Sequence, residues 1–334
     1  MSVRFGSALY PWSGAGDRFL RAGYRDGLAV GERIERAAAL GVLDGVEMVY
    51  PFEVDERTWK DVRRALSDSG LELAALGTTV SSERRFGKGA FTARDPVTRQ
   101  AAIDHVKAGL DLCREMGGNR IYFFLGQDGC DYPLEVDFQD AWEWLVEGLG
   151  EVARHRDDIE ICLEYKPSEP RRHIFLNDVG TALHLVQRIG SEHVKVLFDT
   201  GHALMAGENL GESIWLLSQA DRLGHVHFND NYRRADDDML VGSVHFLPFV
   251  EAIYWLKRVG YEQWISLDLF PYRESPDAVV RESIRFLKRL DTLVEKIGLD
   301  TITALLKRGD GSAALTAVYD ALFGVTGEGG HAKR

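Results

Sequence analysis

No apolar run in this chain is long enough to cross a bilayer; the longest are short and broken by charges, so no membrane span is expected. The opening "MSVRFGSALYPW" has neither the basic start nor the extended apolar core of a signal peptide, and a cytoplasmic location is the expectation. Cysteine is scarce. Cys113, Cys130 and Cys162 are odd in number, widely spaced and without a CxxC pair, which argues against a disulfide framework or a zinc finger. Buried free thiols in a reducing compartment are predicted instead. Basic residues are outnumbered, 40 Lys and Arg against 52 Asp and Glu, for a formal net charge of −12. Phosphate backbones are bound by neutralising them with Lys and Arg, so no nucleic-acid partner is expected. A glycine fingerprint for phosphates is missing too. "YPWSGAGDRF" after the first β-like run holds a lone GxG with no third glycine in register, which argues against an open doubly wound dinucleotide fold.

What the 334 residues do contain is a regular alternation. Eight β-like runs are read at 4–9, 44–49, 71–78, 119–126, 159–166, 194–200, 224–229 and 264–270. Amphipathic stretches lie between them. In "TRQAAIDHVKAGLDLCREMGG", Ala102, Val106, Leu110 and Cys113 recur at spacings of three and four. Strand alternating with helix predicts a parallel sheet with right-handed crossovers. Eight such units fit an α/β fold of the (β/α)8 TIM-barrel type, whose usual size is roughly 250 residues. The barrel is expected over 1–294 and a C-terminal helical extension over 295–325, burying Ile302, Leu305, Leu306 and Leu322 in part through a homo-oligomer, dimer or tetramer. Residues 326–334 are expected to form a disordered tail.

Chemistry in such a barrel sits at the C-terminal ends of the strands. "LEYKP" ends the fifth run with Glu164 and Lys166, and "FDTGH" ends the sixth with Asp199 and His202. "HVHFND" on the seventh supplies His225 and His227, two apart and so on one face. "SLDLF" on the eighth carries Asp268. Each piece has a plain structural reading: Asp199 could cap a helix, His225 could be a core histidine, Glu164 could pair with Lys166. Together, on successive strands, Glu164, Asp199, His227 and Asp268 point to an oxygen-rich site for Mn²⁺, Mg²⁺ or Co²⁺. "RRADDDMLVG" adds Asp236 and Asp238, which with His202 and a bridging Asp199 could hold a second cation.

These motifs resemble the xylose isomerase-like barrel superfamily over nearly the whole chain. "ALGTTVSSERRFGKGAFTARDPVTRQAAIDH" resembles the third strand and loop of xylose isomerases, and "LEYKPSEPR" their Glu-x-Lys-Pro-x-Glu-Pro element. "DTGHALMAG" is similar to their metal-bridging segment, with Asp199 where Glu is usual. "DTGH" with "HFND…DDD" is closer to L-rhamnose isomerases of the pseudomonad type. The resemblance implies one or two divalent metals per subunit, Mn²⁺ first, on the two residue sets above. It implies Lys166 at a substrate oxygen, and Trp12 and Phe124 as aromatic walls of a sugar pocket with His202 beside them. The ring-opening histidine of xylose isomerases has no counterpart in "GVEMVYPFEVDE". Another group must then open the ring, or the substrate differs.

The implied activity is aldose–ketose isomerisation of an unphosphorylated sugar by a metal-assisted 1,2-hydride shift, with Lys166 stabilising charge and Asp238 helping to move the proton between oxygens. The alternative is a ketose 3-epimerase using Glu164 and Asp268 on opposite faces of one carbon. An Asp rather than Glu on strand eight, and the DDD loop, count against it at this level. A DNA-cleaving relative would need a basic rim. A sugar sensor or scaffold without turnover would have no use for so many buried charges.

Overall fold

The computed structural model describes residues 2–324. Residues 325–334, and with them the expected tail, lie outside the described residues. Eight parallel strands run Arg4–Ser7, Gly45–Tyr50, Glu72–Thr78, Arg120–Phe124, Glu160–Glu164, Val194–Asp199, Leu223–Phe228 and Trp264–Leu267. They pair in chain order, with the eighth against the first. A parallel bridge between Ala8 and Glu47 joins the first to the second and closes the ring. The chain is a TIM barrel. Its strands fall on the eight expected runs because their composition, as in Val194-Lys195-Val196-Leu197-Phe198, suits a sheet covered on both faces.

Helices are started and stopped by short-range chemistry. Asp95 accepts from the backbone N–H of Val97 and Thr98 ahead of helix Pro96–Glu115, with proline at its first position. Asp137 and Asp178 cap Phe138–Ala153 and Val179–Ile189 in the same way. On the rim, Gly129–Cys130, Ser168–Glu169 and Arg172–Ile174 form a small antiparallel sheet beside the fifth strand's end. Cys113 and Cys162 are buried and Cys130 half-buried, and all three are free thiols.

The last barrel helix, Pro276–Ile297, runs past residue 294 to Gly298, where φ is +90°. Helices Leu299–Arg308 and Gly311–Phe323 follow. Tyr254 and Thr303 share a 2.8 Å hydroxyl hydrogen bond that ties the first of them to the barrel. Of the residues expected to be buried there, Leu305 is buried and Ile302 is half-buried against the core, but Leu306 and Leu322 are 41% and 46% exposed in the single chain. Helical periodicity puts all four on apolar faces, yet only part of each face meets the barrel. No helix among the described residues is long and apolar enough to cross a membrane.

Candidate metal centre

The "DTGH" turn does two jobs at once. Asp199 ends the sixth strand, and its Oδ1 accepts from the His202 backbone N–H at 2.8 Å, capping helix Thr200–Met205. Its Oδ2 accepts from Asn229 Nδ2 at 2.8 Å and lies 3.9 Å from His227 Nδ1. Asn231 donates to the Gly201 carbonyl at 2.9 Å. A Cβ on Gly201 would stand 1.9 Å from Asn229 Oδ1, so only glycine lets this turn close against the seventh strand. Asp199 thus caps a helix while its second oxygen stays beside His227.

Strand register brings the other donors in. His227 lies opposite Asp199 on one side and Ser266 on the other. Asp268 follows directly after the eighth strand, and Glu164 ends the fifth. One ligand atom from each of Glu164, Asp199, His227 and Asp268 lies within 4.8 Å of all the others. His227 Nδ1 is 3.5 Å from Glu164 Oε1 and 3.9 Å from Asp268 Oδ2. Buried polar atoms are normally paired. Here Glu164 Oε1, His227 Nδ1 and Asp268 Oδ1 are buried with no hydrogen-bond partner. Three carboxylates and one imidazole nitrogen converging with orphaned lone pairs fit a hard divalent cation.

The second set is arranged differently. Asp236 Oδ2 accepts from Lys166 Nζ at 2.7 Å and lies 3.2 Å from His202 Nε2, and Lys166 also pairs with Glu169. His202 Nδ1 is 3.6 Å from Glu164 Oε1. Asp238 is buried at a φ of +45°, its Oδ1 unpartnered. Among the described residues, no group of three or more donors containing Asp236 or Asp238 closes to within 4.8 Å.

A cavity of about 680 Å³ opens onto both sets. Glu164, Lys166, His202, Asp236, Asp238 and Asp268 line one side, and Thr78, Thr79, Ser81 and the 2.7 Å Arg33–Glu53 ion pair line the other. Phe124 lines the cavity, with Lys166 Nζ 5.2 Å from its ring centre. Trp12 is not among the lining residues. It is buried with its indole N–H donating to Asp277 at 2.9 Å, and Tyr10, stacked on Phe270, takes the wall position. The short 3-10 turn Tyr10–Trp12 sends the two rings different ways.

A family-wide sequence model described as "Xylose isomerase-like TIM barrel" matches residues 34–290. The chain belongs to that family. Within it, this barrel is 27% identical to the xylose isomerase of Thermus thermophilus over 206 residues, 60% of this chain and 53% of that protein. It is 28% identical to that of Thermus caldophilus over the same shares. The chain thus spans about half the length of the curated relatives it matches. Among solved structures, L-ribulose 3-epimerase superposes with a TM-score of 0.70 at 17% identity, over 88% of this chain and 96% of that one. D-psicose 3-epimerase from Clostridium cellulolyticum H10 gives 0.68 at 18%, over 86% and 99%.

One close neighbour of the donor set in this xylose isomerase-like barrel carries no mark at a strand end: Glu47, on the second strand. It is fully buried and bonds His225 Nε2 at 2.6 Å and His227 Nε2 at 3.0 Å. A lone carboxylate amid "GVEMVY" was the available signal. Its partners lie far off in sequence, so nothing local announces the pairing.

The rim's electrostatics are those of crowded carboxylates. Burial, reinforced by the Glu164, Asp199 and Asp236 charges against His227, pushes Asp268 up to about 8. Burial also opposes ionising Glu164, but the facing His227, His202 and Lys166 outweigh it and hold this carboxyl below its ordinary value. Burial would lower His202, yet Asp199 and Asp236 raise it to about 9. The linkage sign follows. Between the unfolded value of about 4 and the folded value, Asp268 holds a proton that the unfolded chain lacks, so stability falls as pH rises. His202 acts the same way between about 6.5 and its raised folded value. Chelated protein should therefore melt at a lower temperature at pH 9 than at pH 6. Calorimetry showing an equal or higher melting temperature at pH 9 would refute this balance of charges.

Proposed function

We propose that the chain is a divalent-metal-dependent sugar epimerase that exchanges a proton at carbon 3 of an unphosphorylated ketose. The observation that carries this reading is a convergent four-donor set in which three donors keep an unpartnered atom, with Glu164 and Asp268 both facing the cavity. In the second set, one oxygen of Asp236 is engaged by Lys166 and His202. The 3-epimerases among the solved structures that share the fold support the same reading.

When bound by Glu164, Asp199, His227 and Asp268, a divalent cation would polarise the ketose carbonyl and a neighbouring hydroxyl, acidifying the C–H between them. The chain's own groups do the rest. Each carboxylate has two oxygens, so one can face the cation and the other the sugar. Glu164 and Asp268 both face the cavity. One takes the proton from carbon and the other returns one on the opposite face; the roles exchange in reverse. Lys166, fixed by Asp236 and Glu169, can donate to a substrate oxygen. Arg33, Lys166 and His202 line the cavity and are each already paired with carboxylates, which favours a neutral sugar over a phosphorylated one.

Aldose–ketose isomerisation by hydride shift is the second reading, supported by the similarity to Thermus xylose isomerases and by His202, Asp236 and Asp238 standing beside the donor set. Two assays separate them. Mn²⁺-loaded protein offered a panel of free ketoses and aldoses should yield C3 epimers; aldoses as the sole products would favour the isomerase. Asp238→Asn should leave turnover within about tenfold. A loss of roughly 10²–10⁴-fold, the usual range for removing a proton-transfer group, would point to the hydride-shift route.

A further inference from the structure

His227 has two ring nitrogens, and only one can serve a metal. Nδ1 faces Glu164, Asp199 and Asp268, without a hydrogen-bond partner. Nε2 points down the barrel to Glu47 Oε2 at 3.0 Å. The other oxygen of Glu47 meets His225 Nε2 at 2.6 Å. All three side chains are fully buried, and Tyr122 packs at right angles to the His227 ring with centroids 5.0 Å apart. A carboxylate can only accept, so both Nε2 atoms facing it carry their protons. That leaves Nδ1, which faces the donor set, as the one ring nitrogen of His227 free to give its lone pair to a cation.

A cation between Glu47, His225 and His227 is the competing account, since their donor atoms are also mutually close. The two N···O contacts are ordinary charge-assisted hydrogen bonds in length, and each uses a different Glu47 oxygen. No room for an ion is needed to explain them.

We propose that Glu47 is a positioning residue for the metal centre: it locks the tautomer and ring orientation of His227 from across the barrel, with His225 bracing its second oxygen. The inference rests on the metal reading given above. Partners of this kind change metal affinity by about 10–100-fold when removed. A glutamine could accept from only one of the two N–H groups, its NH₂ facing the other.

The test has two arms. Calorimetric titration with Mn²⁺ of wild type, E47Q and E47A, with melting temperatures of the chelated proteins alongside, should show affinity weakened about 10–100-fold in both variants. In the Mg²⁺-loaded wild type, ¹⁵N NMR of the imidazoles should show His227 protonated on Nε2 and bare on Nδ1. That arm needs no variant to fold. Unchanged Mn²⁺ affinity in folded E47Q, or a proton on His227 Nδ1, overturns the proposal even if the variants melt earlier. Wild type that binds no cation overturns the metal reading and this inference with it.

Discussion

Glu164→Gln should cut turnover by about 10²–10⁴-fold, the range for losing a group that moves a proton in the transition state. The substitution keeps the side chain's shape but removes a carboxylate that its cationic neighbours hold below its ordinary value beside the cavity, and with it one donor to the cation. Asp268→Asn should cost activity on the same scale while having the opposite effect on stability. The native Asp268 carboxyl is held up at about 8 by burial and by its neighbours' charges. Chelated Asp268→Asn should therefore match or exceed wild type in melting temperature at pH 8, a trade between function and stability. Activity assays and calorimetry on the same preparations check both halves. Near-wild-type turnover in either variant would remove these two carboxylates from the mechanism.

Chelation should abolish activity, and Mn²⁺, Co²⁺ or Mg²⁺ should restore it. Binding to the native state alone stabilises it by about 2.7 kcal/mol at a hundredfold excess over Kd, so loaded protein should melt several degrees above chelated protein. The effect should grow with pH, because the cation replaces protons on the crowded rim. Asp199→Asn should lose most of this shift, since Asp199 belongs to the donor set and also fixes the turn that presents His202. Full activity in protein shown by elemental analysis to be free of divalent metal would contradict the account.

The barrel and its four-donor set were legible in the sequence for a physical reason. Parallel strands covered on both faces are continuous apolar runs, and a carboxylate or imidazole at the end of such a run stands out. Glu164, Asp199 and Asp268 each stand at or just past a strand end, and His227 is one residue inside. Side-chain direction beyond the strands was not legible. The turn at Tyr10–Trp12 decides which aromatic meets the cavity, and the φ of +45° at Asp238 decides how the DDD loop enters it. Neither is written in residue type. Which groups those aspartates meet is also a tertiary matter: Lys166 reaches Asp236. The Glu47 pairing spans the barrel, and the Arg33–Glu53 wall forms only once the first helix packs over the second strand's loop.

The fate of the substrate's own hydrogen tests the central claim most directly. Metal-loaded enzyme turning over a ketose in D₂O should yield epimer carrying one solvent-derived deuterium at C3, because Glu164 and Asp268 exchange with water between turnovers. Product with no solvent label, together with transfer of deuterium from C2 of a labelled aldose to C1 of the ketose, would contradict proton exchange and establish a hydride shift instead.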